Sequence, residues 1–208
     1  MTKVGILNYG LGNIQSVKNI LDFLSIENYF IHNEVEIEKI SHLIIPGVGS
    51  FKQAMINLKK QNLISAIKNF SSNRNKFVLG ICLGMQLLGK NSNEDGKNDG
   101  LGLINMSFDL LPKKTKIKIP HVGFNSIKIL KDEQNLFRNI NDNSDFYFNH
   151  SYATCGEDVF DAKAVCDYGI KFLAAFKKNN IFGSQFHPEK SQSNGIKLIN
   201  NFILQNND

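Results

Sequence analysis

Ten consecutive residues constrain this chain more than any others: Phe77-Val78-Leu79-Gly80-Ile81-Cys82-Leu83-Gly84-Met85-Gln86. An apolar run of strand character meets Gly-Ile-Cys-Leu-Gly, and an amphipathic segment begins at Leu83. A strand that turns this sharply into a helix holds its turn residue in strained backbone geometry. A neighbouring Cβ at Gly80 or Gly84 would collide with it. The pattern is the G-x-S-x-G elbow with cysteine in the serine's place. Such a turn sets the sulfur at the start of a helix, where free N–H groups and the helix dipole favour a thiolate. A lone cysteine is most often a small buried apolar residue. Glycines on both sides and a strand before it make Cys82 the candidate nucleophile.

Around this stretch the first half of the chain alternates strand and helix. Strand-like runs at 4–8, 28–31 and 42–46 are separated by helical patterns at 14–24, 34–40, 51–60 and 63–70, and Asn13 is placed to cap the first helix. This alternation predicts a parallel sheet covered on both faces. The second half reads differently. Residues 91–100 are polar and loop-like. Short strand-like runs follow at 101–104, 107–111, 126–130, 146–149, 160–166, 172–177 and 181–186, with a hairpin signal at Lys178-Asn179-Asn180. A last helix covers 194–204. With no linker or repeat, the expectation is one α/β domain over residues 1–208: a mostly parallel central sheet, helices on both faces, and an antiparallel strand extension.

The 208 residues suffice for one substantial core, and 42% hydrophobic with 21% charged content is ordinary for a globular protein. No apolar run approaches the length of a membrane span and no signal peptide is recognised, which makes the cytosol the expected compartment. Cys82, Cys155 and Cys166 lack metal-ligand spacing and read as reduced thiols, the latter two as packing residues. A net charge of +5 on scattered lysines, without an aromatic-rich basic motif, argues against nucleic acid. The run Lys113-Lys114-Thr115-Lys116-Ile117-Lys118 reads as a solvated hairpin or a docking face for an acidic partner.

A thiol nucleophile needs a base, and the base needs an orienting group. His187-Pro188-Glu189 offers both at the end of a strand: residues two apart in extended chain point the same way, and Pro188 stiffens the pair. Strand ends on one edge of a parallel sheet meet in the crevice where such folds bind ligands, which would bring His187 to Cys82. A further strand-to-helix turn, Pro46-Gly47-Val48-Gly49-Ser50-Phe51, can aim backbone N–H groups at an oxyanion. Taken alone it would serve equally as a phosphate-binding or merely tight turn. Neither it nor Gly10-Leu11-Gly12-Asn13 has the third glycine of a dinucleotide fingerprint, and no metal or organic cofactor is implied. His32, His42 and His150 have no recognisable partner and read as structural or surface residues.

Gly80-Ile81-Cys82-Leu83-Gly84-Met85-Gln86 with His187-Pro188-Glu189 resembles the class I (triad) glutamine amidotransferases, which have a flavodoxin-like fold. The likeness runs from the first strand to the C-terminus. Asn8-Tyr9-Gly10-Leu11-Gly12-Asn13, the loop from Pro46 and His187-Pro188-Glu189-Lys190-Ser191 are most similar to the glutaminase subunits of histidine-pathway imidazole glycerol phosphate synthases. The resemblance implies that Cys82 attacks the side-chain amide of L-glutamine, with His187 as base and then acid, oriented by Glu189. Val48, Gly49 and Leu83 would form the oxyanion hole. Gln86, Glu94, Ser151 and Tyr152 would hold glutamine, Glu94 facing its α-amino group. It further implies a (β/α)8 cyclase partner that receives ammonia, contacted through Asn13, His121, Phe124, Tyr147 and Lys190, and an oxyanion loop completed only when that partner is docked and liganded.

One departure stands out: the chain has His121-Val122-Gly123-Phe124-Asn125 where such subunits usually carry Trp in place of Phe124. The indole N–H is lost at a contact position. This leaves open a paralogous glutaminase that supplies ammonia for acetamidino modification of a bacterial surface sugar. Three further readings remain: a silent binding member of the fold, a cysteine peptidase and a γ-glutamyl hydrolase.

Overall fold

Strand β1 (Val4–Leu7) lies between β2 (Asn28–Ile31) and β3 (His42–Ile45), and β3 pairs with β4 (Phe77–Ile81), all parallel. Helices α1 (Ile14–Phe23), α2 (Glu34–Glu38), α3 (Phe51–Lys60) and α4 (Leu63–Ser72) connect them. The computed structural model describes residues 2–112, 117–156 and 158–205. After β4 come α5 (Leu83–Leu88), β5 (Asn91–Ser92), β6 (Asn98–Asp99), β7 (Ser107–Leu110), β8 (His121–Asp132), β9 (Asp145–His150) and β10 (Tyr152–Ala153). The chain ends with β11 (Ala162–Asp167), β12 (Lys171–Lys178), β13 (Ile181–Ser184), a 3-10 turn (Pro188–Lys190) and α6 (Gln192–Ile203).

The main sheet has nine strands in the order β2-β1-β3-β4-β13-β12-β11-β8-β9, parallel from β2 to β13 and antiparallel beyond. This is the mostly parallel sheet with an antiparallel extension that the alternation predicts. Successive side chains of a strand leave opposite faces, and each face has its own core. Phe77, Leu79 and Ile81 of β4 pack with Val17 and Leu21 of α1 and Leu198, Ile199 and Phe202 of α6. Val78 of the same strand joins Ala54 and Leu58 of α3, Leu63 and Ile67 of α4 and Met85 of α5 on the other side.

One pairing positions the site. β13 lies parallel to β4 with Ser184 opposite Ile81. The next residues of the two strands, Cys82 and Gln185, therefore leave the sheet at the same edge, although about a hundred residues separate them in sequence.

The second half corrects several local expectations. Residues 101–104 form no strand. Their backbone N–H groups instead meet the open carbonyls at the end of α5: Leu101 on Leu87, Gly102 on Gly89, Leu103 and Ile104 on Leu88. The stretch 91–100, expected as loop, contributes β5 and β6 to a small sheet ordered β10-β7-β5-β6. Strand β8 begins at His121, five residues earlier than expected. Cys166 is a buried packing residue, its thiol pushed up to about 12 by burial and by Asp167. Cys155 is not: it is exposed and follows β10. Lys113 to Lys116 lie outside the described residues. No helix among the described residues is long and apolar enough to cross a membrane.

Three buried histidines are expected to make the fold acid-sensitive. Burial holds His42 at about 4, helped by Lys76 and opposed by a hydrogen bond with the Gln205 backbone. Burial also holds His150 at about 3, with His121 and His187 acting in the same direction and a hydrogen bond to the Tyr152 backbone opposing. Burial holds His121 at about 4 as well. Unfolded histidine titrates near about 6.5, so below that pH the unfolded chain binds protons that the folded chain refuses. The stability these three contribute is full above pH ~6.5 and falls as pH drops, approaching about 4 kcal/mol per pH unit for the three together. His187, whose folded value is raised, contributes stability that is full well below pH ~6.5 and is lost as pH rises, so it adds little slope below about pH 6, where both states carry its proton. Urea unfolding between about pH 6.5 and 5, above the carboxylate range, should show the loss. His42→Phe, which keeps a ring against Phe77 and Phe202, should remove roughly a third of it.

Candidate active site

Cys82 lies between β4 and α5 with φ 53° and ψ −109°, a left-handed conformation in a residue that is not glycine. Close packing imposes this turn. A Cβ on Gly84 would lie 1.7 Å from the carbonyl oxygen of Ile45, at the end of β3, and one on Gly80 would lie 2.6 Å from the backbone of Gly84 and Met85. The helix therefore starts directly against two strands, and only glycine fits at those two points. Leu83, the first residue of α5, has no acceptor for its N–H within so short a helix.

His187 reaches the same place from β13. Its backbone N–H donates to the Tyr147 carbonyl at 2.8 Å, and the Ser191 hydroxyl donates to the His187 carbonyl at 2.6 Å while accepting from the Tyr147 N–H at 3.0 Å. Phe186 stacks on Phe146 with ring centroids 4.1 Å apart, so the segment is fastened to β9 by packing as well. The Nδ1 of His187 lies 2.7 Å from Oε1 of Glu189, and both side chains are almost fully buried. Burial opposes charge on the ring, but Cys82 and Glu189 together push His187 up to about 10. With Nδ1 committed to Glu189, Nε2 is the atom left to face the sulfur. It has no partner of ordinary hydrogen-bond geometry among the described residues, so the Cys82 contact is loose. Bonds of this kind commonly tighten only in the Michaelis complex.

In front of the sulfur is a cleft of about 290 Å³, lined by Cys82 and by Val48, Gly49, Leu83, Gln86, Glu94, Ser151 and Tyr152. Every residue assigned from sequence to the oxyanion hole or to glutamine thus borders one cavity with the nucleophile. Gly49 has φ 109°, and the loop before it is held by Tyr9, whose buried hydroxyl donates to the Pro46 carbonyl at 2.8 Å. Burial, then the nearby Cys82, drives the Tyr9 phenol far above its usual range, so it remains a donor. Tyr9→Phe would leave the Pro46 carbonyl without this bond, at a cost of about 1–2 kcal/mol. We expect a lower melting temperature together with a roughly tenfold loss of kcat as the loop loosens, both measurable on the purified protein.

Glu94 is committed by one oxygen: Oε2 accepts from the Phe51 N–H at 2.7 Å, at the start of α3. Burial raises its carboxyl, with the Phe51 bond opposing and Asp95 reinforcing. Gln86 is buried, and its amide nitrogen donates to the Tyr152 carbonyl at 3.1 Å and to Oε1 of Gln185 at 3.3 Å.

The expected partner face divides. Phe124 is half exposed beside Val122, its ring 5.5 Å from that of Tyr147, and the ammonium of Lys190 lies 5.6 Å above the Tyr147 ring. Asn13 accepts from the Ser16 N–H and caps α1, as expected. His121 departs from the expectation. Only 2% exposed, it stacks between Phe148 and Tyr168, because alternation along β8 sends it inward where Val122 points out. Its Nδ1 lies 3.1 Å from Nε2 of His150, which reverses the reading of His150 as partnerless. Sequence reasoning also missed Pro120, Asn149 and His150 in the cleft, and Gln185 behind it. Only the last carried a signal, as a polar residue at the end of an apolar strand.

A cysteine in a strand-to-helix elbow, facing a histidine held by a glutamate and bordering a cleft, is the arrangement of a triad acyl-transfer enzyme. Family comparison agrees: residues 6–206 match the model for glutamine amidotransferase class-I. Imidazole glycerol phosphate synthase subunit HisH 1 of Campylobacter jejuni is 42% identical over 200 residues, covering 96% of this chain and 98% of the relative. Subunit HisH 2 of Methanococcus maripaludis is 41% identical, covering 97% and 99%. A crystal structure described as a glutamine amidotransferase superposes with TM-score 0.74 at 16% identity, over 96% of each chain, a likeness of fold. The chain belongs to the class I glutamine amidotransferase family.

Proposed function

We propose that this protein is the glutaminase subunit of an imidazole glycerol phosphate synthase, acting in the cytoplasm as a heterodimer with a (β/α)8 cyclase. The reading rests chiefly on one observation: the register of β4 beside β13 brings the cysteine elbow that lines the cleft together with a buried His187–Glu189 pair, 2.7 Å apart. Relatives at 42% and 41% identity that bear the histidine-pathway name support the pathway. The surface-sugar alternative rests on Phe124 alone and is not favoured.

In this mechanism the Cys82 sulfur attacks the side-chain carbonyl carbon of glutamine. The oxyanion forms toward the N–H of Leu83 and one from the Val48–Gly49 loop. His187, held protonated by Cys82 and Glu189 against the opposing effect of burial, gives its proton to the nitrogen as the C–N bond breaks and ammonia leaves. Water then loses a proton to His187 and attacks the thioester, releasing glutamate and restoring the thiol. Ammonia passes to the cyclase across the face that carries Phe124, Tyr147 and Lys190.

Glutamate release measured with and without the cyclase and its nucleotide ligand tests this reading. We expect stimulation on the order of ten- to hundredfold and no cleavage of peptides. A free subunit that hydrolyses glutamine at full rate would contradict the dependence on partner, and peptide hydrolysis would contradict the activity.

A further inference from the structure

A chain of buried polar groups leads from the Cys82 sulfur through Gln185, behind the cleft, to Gln86, Tyr152 and His150 in its wall. Nε2 of Gln185 lies 3.7 Å from Sγ, and Oε1 of Gln185 accepts from Nε2 of Gln86 at 3.3 Å. The Gln86 nitrogen also donates to the Tyr152 carbonyl at 3.1 Å, an oxygen shared with Nδ1 of His150 at 2.9 Å. Gln185 is 0% exposed and Gln86 5% exposed, so water does not compete for these bonds.

The direction of the chain is set by its one atom that cannot change role. A backbone carbonyl only accepts. Gln86 must therefore turn its nitrogen to Tyr152, and the second hydrogen of that nitrogen then meets an oxygen on Gln185. With its oxygen so engaged, Gln185 has only N–H to offer the sulfur. The His150 ring is oriented by the same carbonyl: Nδ1 donates there, leaving Nε2 to accept from Nδ1 of His121. An N–H donor aimed at sulfur favours the thiolate over the thiol. The triad alone leaves Gln185 without a role, and a fully buried amide at this point has no evident use in packing.

We infer that Gln185 acts on the nucleophile itself, its side-chain N–H holding negative charge on the Cys82 sulfur, with Gln86 and the Tyr152 carbonyl fixing which way that amide faces. The inference rests on Cys82 being the nucleophile of the glutaminase reaction. The same sulfur lies 3.6 Å from the Asn149 carbonyl, to which it donates as a thiol, so the Gln185 N–H and the Asn149 oxygen favour opposite forms of the nucleophile. Other titratable groups also surround the sulfur. His187 faces it from the turn after β13, with Glu189 behind; Tyr9 lies near it from the turn after β1; His150 of β9 and Glu94 of the β5–β6 loop border the same cleft.

The test is the rate of Cys82 alkylation by iodoacetamide as a function of pH, read on the Cys82 peptide by mass spectrometry, beside kcat and KM for glutamine in the complex with the cyclase. Gln185→Glu replaces the N–H with oxygen, and Gln185→Met keeps length without a donor or charge. Both should move the alkylation midpoint up by about one pH unit, slow alkylation at neutral pH about tenfold, and lower kcat by about ten- to hundredfold with KM little changed. If Gln185→Glu does not fold, Gln185→Met decides. A folded variant with the wild-type alkylation profile and kcat overturns the inference while leaving the glutaminase reading intact. Undiminished glutamine hydrolysis by Cys82→Ala would overturn that reading instead, whatever the alkylation profile shows.

Discussion

Cys82→Ala is expected to lower glutamine hydrolysis by at least roughly ten-thousandfold and to leave melting within a few degrees of wild type. The two expectations have separate causes. No other described thiol borders the cleft: Cys155 is exposed after β10, and Cys166 is buried within β11. Losing a covalent nucleophile removes the whole acylation route, and single deletions from such units are as damaging as multiple ones. Alanine keeps the Cβ and fits the same turn, so the change in stability should stay within about 1 kcal/mol. Activity assays with the cyclase, paired with thermal unfolding, separate the two. Comparable loss of both would mean that the residue serves the fold rather than the reaction.

Gly84→Ala should do the reverse, acting on fold and site together. The added carbon would sit 1.7 Å from the Ile45 carbonyl oxygen, a backbone atom in the middle of the sheet that cannot swing aside. Relief requires α5 to lift away from the ends of β3 and β4. We expect a loss of at least about 3 kcal/mol, or on the order of 10 °C in melting temperature. The same displacement separates the Leu83 N–H from the Val48–Gly49 loop, so residual folded protein should be nearly inactive. Gly156→Ala is the control: its nearest contact, the Thr154 hydroxyl oxygen at 3.5 Å, is ordinary van der Waals distance, and its effect should be under about 1 kcal/mol. Equal effects of the two substitutions would refute the steric account of the elbow.

What could be read from the sequence was what short-range physics decides. Short continuous apolar runs marked β1, β3 and β4, and the glycines around Cys82 marked a turn that admits no side chain beside it. The two-residue spacing of His187 and Glu189 paired them, and the observed 2.7 Å contact follows that spacing. Long-range demands decided the rest. Residues 101–104 look like a strand, but the carbonyls left open by a six-residue helix claim their N–H groups. The start of β8 was hidden because Gly123, at φ 132°, interrupts the apolar pattern. Nothing in the sequence links His121, His150 and Gln185 to one another; only the packing of β8, β9 and the end of β13 brings them into a buried chain of donors and acceptors.

Glutamine hydrolysis here is acyl transfer to one sulfur, with His187 moving the protons. Acid quenching of the cyclase complex during glutamine turnover, followed by peptide mass mapping, tests this directly. A γ-glutamyl adduct should appear on the peptide containing Cys82, be absent from Cys82→Ala, and fall sharply in His187→Asn, which loses the acid that lets ammonia leave. Turnover at the wild-type rate with no adduct on Cys82, or with an adduct on Cys155 instead, would contradict it.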